Sequence, residues 1–165
     1  MAKRRLTEYS GQFMMIFCVA LLCLRIFWAA AAVYLLWYTL YGFVGLAFFL
    51  SARKKPAFSN LLLRITIAQT LLPFRKSFYF WTKSTNAILK NPANTKEALY
   101  IANKVDIGGL GTSHNKAFFL SYLAALYFDM GDKGKALDCI REARGTPHKE
   151  ALNEHMDRIY DKIVK

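Results

Sequence analysis

Apolar residues dominate the N-terminal third of the chain. From Phe13 to Leu50, a run of 38 residues contains one charged side chain, Arg25, and no proline. An apolar run of about 18 residues or more is typical of a membrane-spanning segment. Backbone amides in lipid are satisfied only in helices or closed barrels, and this run does not alternate polar and apolar residues. The pattern therefore predicts transmembrane helices.

The length of the run leaves two arrangements open. One straight helix would be about 57 Å long, against a hydrocarbon core of about 30 Å. The first arrangement is a tight hairpin with spans at residues 13–30 and 34–51. The second is a single span over Ile26–Leu50, with residues 6–24 as an interfacial or tilted extension. We favour the hairpin because it places both basic flanks, Lys3–Arg5 and Arg53–Lys55, on one side of the membrane. Its weakness is that Trp28–Tyr34 contains no Gly, Pro or Asn for a turn.

Small residues within the run predict close packing of helices in the membrane, since they let two backbones approach each other. These positions are Ala29, Ala30, Gly42 and Gly45. A cleaved signal peptide is disfavoured, because Arg25 interrupts the apolar run and another apolar stretch follows at once.

A middle segment separates this run from the rest of the chain. Pro56 and Pro73 bracket Ala57–Leu72, whose apolar residues recur at helical spacing. Polar residues such as Arg64 make a third span costly, so the pattern favours a helix at the membrane surface. Residues Phe74–Trp81 interleave bases and aromatics. This predicts an interfacial aromatic belt or the core of the first soluble helix, with lipid-headgroup or nucleic-acid contact as the functional alternative.

The C-terminal part shows helical spacing separated by short loops rich in Gly, Asn and Pro, and it has no alternating β-branched runs. Thr112 or Ser113 is the expected N-cap of the longest helix. The predicted helices are Lys96–Val105, Lys116–Met130, Lys135–Arg144 and Glu150–Val164. We therefore predict an all-α protein. Its expected parts are a membrane anchor at 1–55, linking helices at 56–90 and a helical domain at 91–165.

The formal charge of +12 is unevenly distributed. Residues 1–90 hold 12 bases and one acid, Glu8, whereas residues 91–165 hold 11 bases and 10 acids. Basic flanks favour the cytoplasmic side of a membrane and anionic lipid headgroups. The expected location is therefore integral to a membrane, with the C-terminal domain cytoplasmic, and nucleic acid is not an expected partner. The predicted membrane-surface residues are Arg53, Lys54, Lys55, Arg64, Arg75 and Lys76.

A repeat-like pattern lies within residues 117–150. Its positions are Leu120, Leu123, Ala124, Tyr127, Gly131, Ala136, Ile140, Ala143 and Pro147. This spacing resembles a tetratricopeptide repeat (TPR). The pattern departs from the family in having Leu120 where Trp is common, Ala124 where Gly is common, and its proline one position early.

A weaker second copy lies upstream, where Glu97-Ala98-Leu99 aligns with Lys135-Ala136-Leu137 and Phe78–Leu89 would form the first helix. The final helix resembles the helix that caps such arrays. The resemblance implies pairs of antiparallel helices with a ligand face on the first helix of the repeat. Its implied partner-binding residues are Phe118, Ser121, Ala125, Phe128 and Asp129. Two repeats are few for a continuous core, so help is expected from a protein partner, from a second copy of the chain or from the membrane-proximal helix.

No catalytic pattern is visible in the sequence. The cysteines form no Cys-x-x-Cys pair, the histidines have no metal-ligand spacing, and the glycines of Gly108–Asn115 follow no strand. We therefore expect no enzyme activity and no cofactor. The leading hypothesis is a membrane-anchored adaptor or scaffold that binds protein through the TPR-like domain. The alternative is an accessory structural subunit of a larger integral membrane complex, with contacts made by the spanning helices.

Overall fold

The computed structural model describes residues 14–20 and 27–165. These residues form helices and no strand, which confirms the all-α prediction for the described part of the chain. Residues 14–20 are helical, and the α-helices that follow are α1 (Phe27–Tyr41), α2 (Val44–Ala52), α3 (Pro56–Ile65), α4 (Pro73–Lys90), α5 (Thr95–Ala102), α6 (Ser113–Asp129), α7 (Lys133–Gly145) and α8 (Asn153–Val164). The basic residues before position 14, and Arg25, lie outside the described ranges.

The chain forms two compact units, Met1–Gly42 and Phe43–Lys165. In the first unit, the helical residues 14–20 contact α1, where the Cys18 thiol lies 3.8 Å from the carbonyl oxygen of Ala30. Several large apolar side chains of α1 are exposed, with Trp28 82% and Leu36 62% accessible. An apolar face of this size is typical of contact with lipid or another protein.

By length and hydropathy, no single helix in the described residues can cross a bilayer. The bent pair α1 and α2 has the length and composition for a crossing when the two helices are taken together. The turn predicted between spans 13–30 and 34–51 is wrong, because α1 runs unbroken through residues 31–33. Four consecutive alanines favour helix there. The break lies instead after Gly42, whose φ of +54° suits glycine.

The small residues predicted to pack in the membrane differ in their surroundings. Ala30 and Gly42 are buried, and Ala29 is half-buried. Gly45 is exposed on α2, where an added Cβ would come within 3.2 Å of the Arg75 guanidinium.

Buried apolar side chains of the second unit form three successive clusters. The first joins α2, α3 and α4 through Val44, Ala47, Leu63 and Tyr79. The second joins α4, α5 and α6 through Trp81, Ala98, Ala102, Phe119, Leu123 and Leu126. The third joins α6, α7 and α8 through Ala117, Leu120, Ala124, Ile140, Ala143 and Met156. Because α4 and α6 each contribute to two clusters, the helices stack in chain order from α2 to α8.

Helix α4 also holds its neighbours through buried hydrogen bonds. Asn86 is fully buried and donates from Nδ2 to Ser59 Oγ (2.7 Å) and Asn60 Oδ1 (2.9 Å). Ser59 Oγ in turn donates to the carbonyl oxygen of Ala47 at 2.7 Å. This chain of bonds joins α4, α3 and α2, and we call it the Asn86 network. Close approach of α3 to α2 is possible because residue 47 is alanine.

On the other side of α4, Ser84 makes the corresponding link. Its hydroxyl donates to the Ala98 carbonyl of α5 at 2.7 Å and accepts from the Tyr122 hydroxyl of α6 at 2.7 Å. The segment predicted as a linker at 56–90 therefore packs on both α2 and the C-terminal helices.

Residues that flank α6 and α7 cap both helices. The Thr112 hydroxyl caps α6 by accepting a hydrogen bond from the backbone N–H of Asn115 at 3.2 Å, which confirms the predicted cap. Asp132 caps α7 by accepting from the Lys135 amide at 3.1 Å, and Gly131 makes the turn with φ +82°. Tyr127 is half-buried, and its hydroxyl donates to Asn103 Oδ1 at 3.3 Å. The repeat assignment itself stays a prediction.

We predict that Asn86→Ala destabilises the second unit by about 2–3 kcal/mol, because it removes two buried hydrogen bonds and leaves a cavity. The measurement is the thermal midpoint of the full chain in detergent micelles, which should fall by roughly 4–10 °C. Asn103→Ala is the matched control, since its only described side-chain bond is exposed and longer. Equal midpoints for the two variants would contradict the prediction.

Candidate functional site

The partner-binding residues predicted on α6 fall into two groups. Phe118, which is 40% exposed, and the half-buried Ala125 line the same pocket. Ser121 is fully buried and donates its hydroxyl to the Phe118 carbonyl at 2.8 Å. Phe128 and Asp129 lie at the C-terminal end of α6 and do not line the pocket. The structure thus brings together two of the five positions.

The pocket has a volume of about 270 Å³ and is built by four helices. Its lining residues come from α2 (Phe48, Ser51, Ala52), α4 (Trp81, Thr85), α6 (Phe118, Tyr122, Ala125) and α8 (His155). We call it the aromatic pocket, because four of these side chains are aromatic. Its walls are mostly apolar, with the Ser51, Thr85 and His155 side chains as the polar groups besides the Tyr122 hydroxyl.

Trp81 positions the aromatic walls. It is 4% exposed, and its ring contacts Phe48 and Phe118 edge-on with ring centroids 5.5 Å apart in both cases. On its inner side it contacts Phe119 of the core at 5.3 Å. Edge-to-face aromatic contacts of this kind have a defined geometry. The interleaved segment Phe74–Trp81 therefore provides core side chains of α4, including Tyr79 and Trp81.

The polar groups of the aromatic pocket are uncharged near neutral pH. Burial lowers the pKa of His155, and the nearby Arg158 lowers it further. The Tyr122 pKa is raised by burial, against the opposing effect of its hydrogen bond to Ser84. Ser51 is 3% exposed, and its hydroxyl has no hydrogen-bond partner among the described residues. The pocket therefore suits an uncharged, apolar group.

The predicted membrane-surface bases are mostly exposed. Arg53, Lys54 and Lys55 follow α2, and the Arg53 guanidinium lies 4.2 Å from the centre of the Phe49 ring. Arg64 on α3 and Lys76 on α4 are also exposed. Arg75 differs, because it is half-buried beside Phe74, with its guanidinium 5.5 Å from the ring centre.

Sequence reasoning missed the contributions of α2, α4 and α8 to the pocket. Ser51 and Phe48 belong to the apolar run, and Trp81 lies in a segment interpreted as core or belt. His155 shows no motif. No local spacing relates residues 48, 81 and 155, so only their packing reveals the site.

Comparison with models of protein families, with curated proteins and with solved structures found no match to this chain. Within the part of the chain that the structure describes, no group of three or more His, Cys, Asp or Glu side chains could hold a metal ion.

We predict that acidification destabilises the fold through His155. Its pKa is lowered in the folded chain, so below the ordinary value of 6.5 the unfolded chain binds a proton that the folded chain resists. Stability is therefore lost as the pH falls below 6.5. His155→Gln should lose less thermal stability than the wild type between about pH 7.5 and pH 5.5.

His148 has the opposite effect on the stability of the fold at acidic pH, because hydrogen bonds with Asn153 and Thr146 raise its pKa. Both proteins carry His148, so the difference between their thermal midpoints isolates His155. Parallel pH profiles would count against the prediction.

Proposed function

We propose that this chain is a membrane-anchored adaptor, whose TPR-like helical domain holds a protein partner at the cytoplasmic membrane surface. The observation that carries the proposal is the aromatic pocket. Membrane attachment of the chain is supported by the apolar pair α1 and α2, which has the length and composition to cross a bilayer.

The size of the pocket favours a side chain of a protein partner. Its volume of about 270 Å³ lies just below the range of roughly 300–1,000 Å³ that is usual for small-molecule sites. Aromatic side chains in a desolvated pocket are typical of the residues that dominate protein interfaces. The occupant we propose is one large apolar side chain of the partner, packed against Phe118 and Trp81.

The position of the pocket supports binding next to the membrane. One wall comes from the last two turns of α2, where Phe48, Ser51 and Ala52 lie. The exposed bases Arg53–Lys55 follow immediately. A partner side chain in the pocket would therefore lie close to the level where α2 meets the lipid headgroups.

Phe118→Ala and Ala125→Phe test the proposal from two directions. The first removes a wall of the aromatic pocket, and the second fills it. Loss of one central aromatic contact costs about 2 kcal/mol or more, so we expect roughly a thirtyfold weaker capture of the partner in each case. The measurement is quantitative mass spectrometry of proteins that co-purify with the tagged full chain in mild detergent.

Met130→Ala is the matched control, because Met130 directly follows α6 and is 43% exposed but does not line the pocket. Thermal midpoints of all three variants establish that they fold. The proposal fails if folded Phe118→Ala and Ala125→Phe proteins retain the same partners as Met130→Ala.

An accessory structural subunit is the second candidate, and the exposed apolar face of α1 favours it. Trp28, Leu35 and Leu36 are each more than 60% exposed and offer a surface to other spanning helices. Replacing residues 1–42 by an unrelated spanning segment separates the two functions. An adaptor keeps its partner after this exchange, whereas a subunit held by its spanning helices loses its complex.

A further inference from the structure

Helix α3 borders two adjoining cavities of opposite character. The first, of about 320 Å³, is polar and includes Arg64, Lys83, Lys90, Asn60, Asn86 and Glu97 in its lining. The second, of about 500 Å³, is lined by four apolar residues of α3 together with Asn60, Arg64 and Lys90. Because Asn60, Arg64 and Lys90 line both cavities, the two cavities adjoin along α3, and we call them together the groove beside α3.

The polar cavity carries a positive charge that suits a phosphate. Three bases and one acid, Glu97, give a formal charge of +2 for the ionisable groups Arg64, Lys83, Lys90 and Glu97. The three bases are exposed, and none takes part in an ion pair identified among the described residues. Bases arranged in this way bind phosphate oxygens through charge-assisted hydrogen bonds.

The same cavity also contains hydrogen-bond acceptors. Asn86 is fully buried, and both of its described hydrogen bonds are donated from Nδ2. Ser59 uses its proton for Ala47, so Ser59 accepts from Asn86 and the amide orientation follows from the network. Asn86 Oδ1 accepts no hydrogen bond from the described residues. The exposed Glu97 carboxylate also lines the cavity, and it is an acceptor that favours a phosphate ester whose alcohol carries a hydroxyl group.

The apolar cavity specifies where such a phosphate ester comes from. Phe58 and Leu61 line it and are 64% and 57% exposed, and Ile65 on the next turn is 50% exposed. Residues 58, 61 and 65 recur at the spacing of one helical face. A soluble phosphate ester would leave this ridge in water, whereas the acyl chains of a lipid would cover it.

We infer that the groove beside α3 binds a membrane phospholipid with an anionic phosphodiester headgroup that carries a hydroxyl, the headgroup type of phosphatidylglycerol. The phosphate lies among Arg64, Lys83 and Lys90, and the hydroxyl donates toward the Glu97 carboxylate. The acyl chains pass along Phe58 and Leu61. This inference rests on the membrane attachment of the proposed function but does not depend on the aromatic pocket.

Lipid retention by the full chain tests the headgroup. The protein is released from detergent micelles that contain phosphatidylglycerol, phosphatidylmethanol or phosphatidylcholine, and bound lipid is counted by native mass spectrometry. Phosphatidylmethanol has the same phosphodiester charge but no hydroxyl. We expect about three- to tenfold higher retention of phosphatidylglycerol than of phosphatidylmethanol, which corresponds to one additional hydrogen bond. Equal retention of these two lipids overturns the hydroxyl assignment, and equal retention of phosphatidylcholine overturns the anionic site.

A pair of matched variants tests the location. Arg64→Gln with Lys90→Gln removes two bases from the groove, and we expect roughly tenfold lower retention of phosphatidylglycerol. Lys133→Gln with Lys149→Gln removes two exposed bases from α7 and the following loop, and its retention should match the wild type. Equal losses in both variants would show an effect of net charge alone and overturn the site.

Three further measurements separate this inference from its alternatives. Glycerol 3-phosphate at the same concentration as phosphatidylglycerol should displace no lipid. Full displacement would show a site for a soluble phosphate ester. Phe118→Ala should leave lipid retention unchanged. Extraction of the chain from membranes by alkaline carbonate would refute membrane attachment directly, whereas loss of the lipid preference alone refutes only the groove.

Discussion

The second unit depends on the buried polar side chains of α4. Asn86 connects this helix to α3 and α2 through the Asn86 network, and Ser84 connects it to α5 and α6. Buried polar groups are costly unless they are hydrogen-bonded, so these bonds specify one register for each neighbouring helix. A helix with an entirely apolar face could slide against its neighbours at smaller cost. The functional surfaces inherit their geometry from this constraint.

Both proposed sites lie beside α4 and follow from its two-sided packing. On one side, Trp81 supports the aromatic pocket between α2, α6 and α8. On the other, Asn86, Lys83 and Lys90 form the polar end of the groove beside α3. Helix α2 is common to the pocket and to the apolar pair that has the composition of a membrane crossing. Partner binding and lipid binding would therefore occur on a single helical framework, close to the bases Arg53–Lys55.

Local pattern predicted much of the helical framework. The cap at Thr112 and the turn at Gly131 depend on neighbouring residues, so their chemistry is readable along the chain. The turn within the apolar run was mispredicted because an alanine stretch continues a helix, even where the helix becomes longer than the thickness of the bilayer needs. The bend at Gly42 needed the backbone geometry, since a glycine in an apolar run is equally typical of helix packing.

Composition and local spacing were enough to predict the all-α class, to locate the apolar run with its basic flanks, and to show the charge difference between the two halves. These properties depend on composition and on spacings of a few residues, which folding does not change. The packing of the helices brings Phe48, Trp81, Phe118 and His155 into one pocket. It also buries Ser121 and places Arg64 and Lys90 along one groove. Contacts between distant residues depend on how helices pack, and periodicity along one helix gives its buried face but not its neighbour.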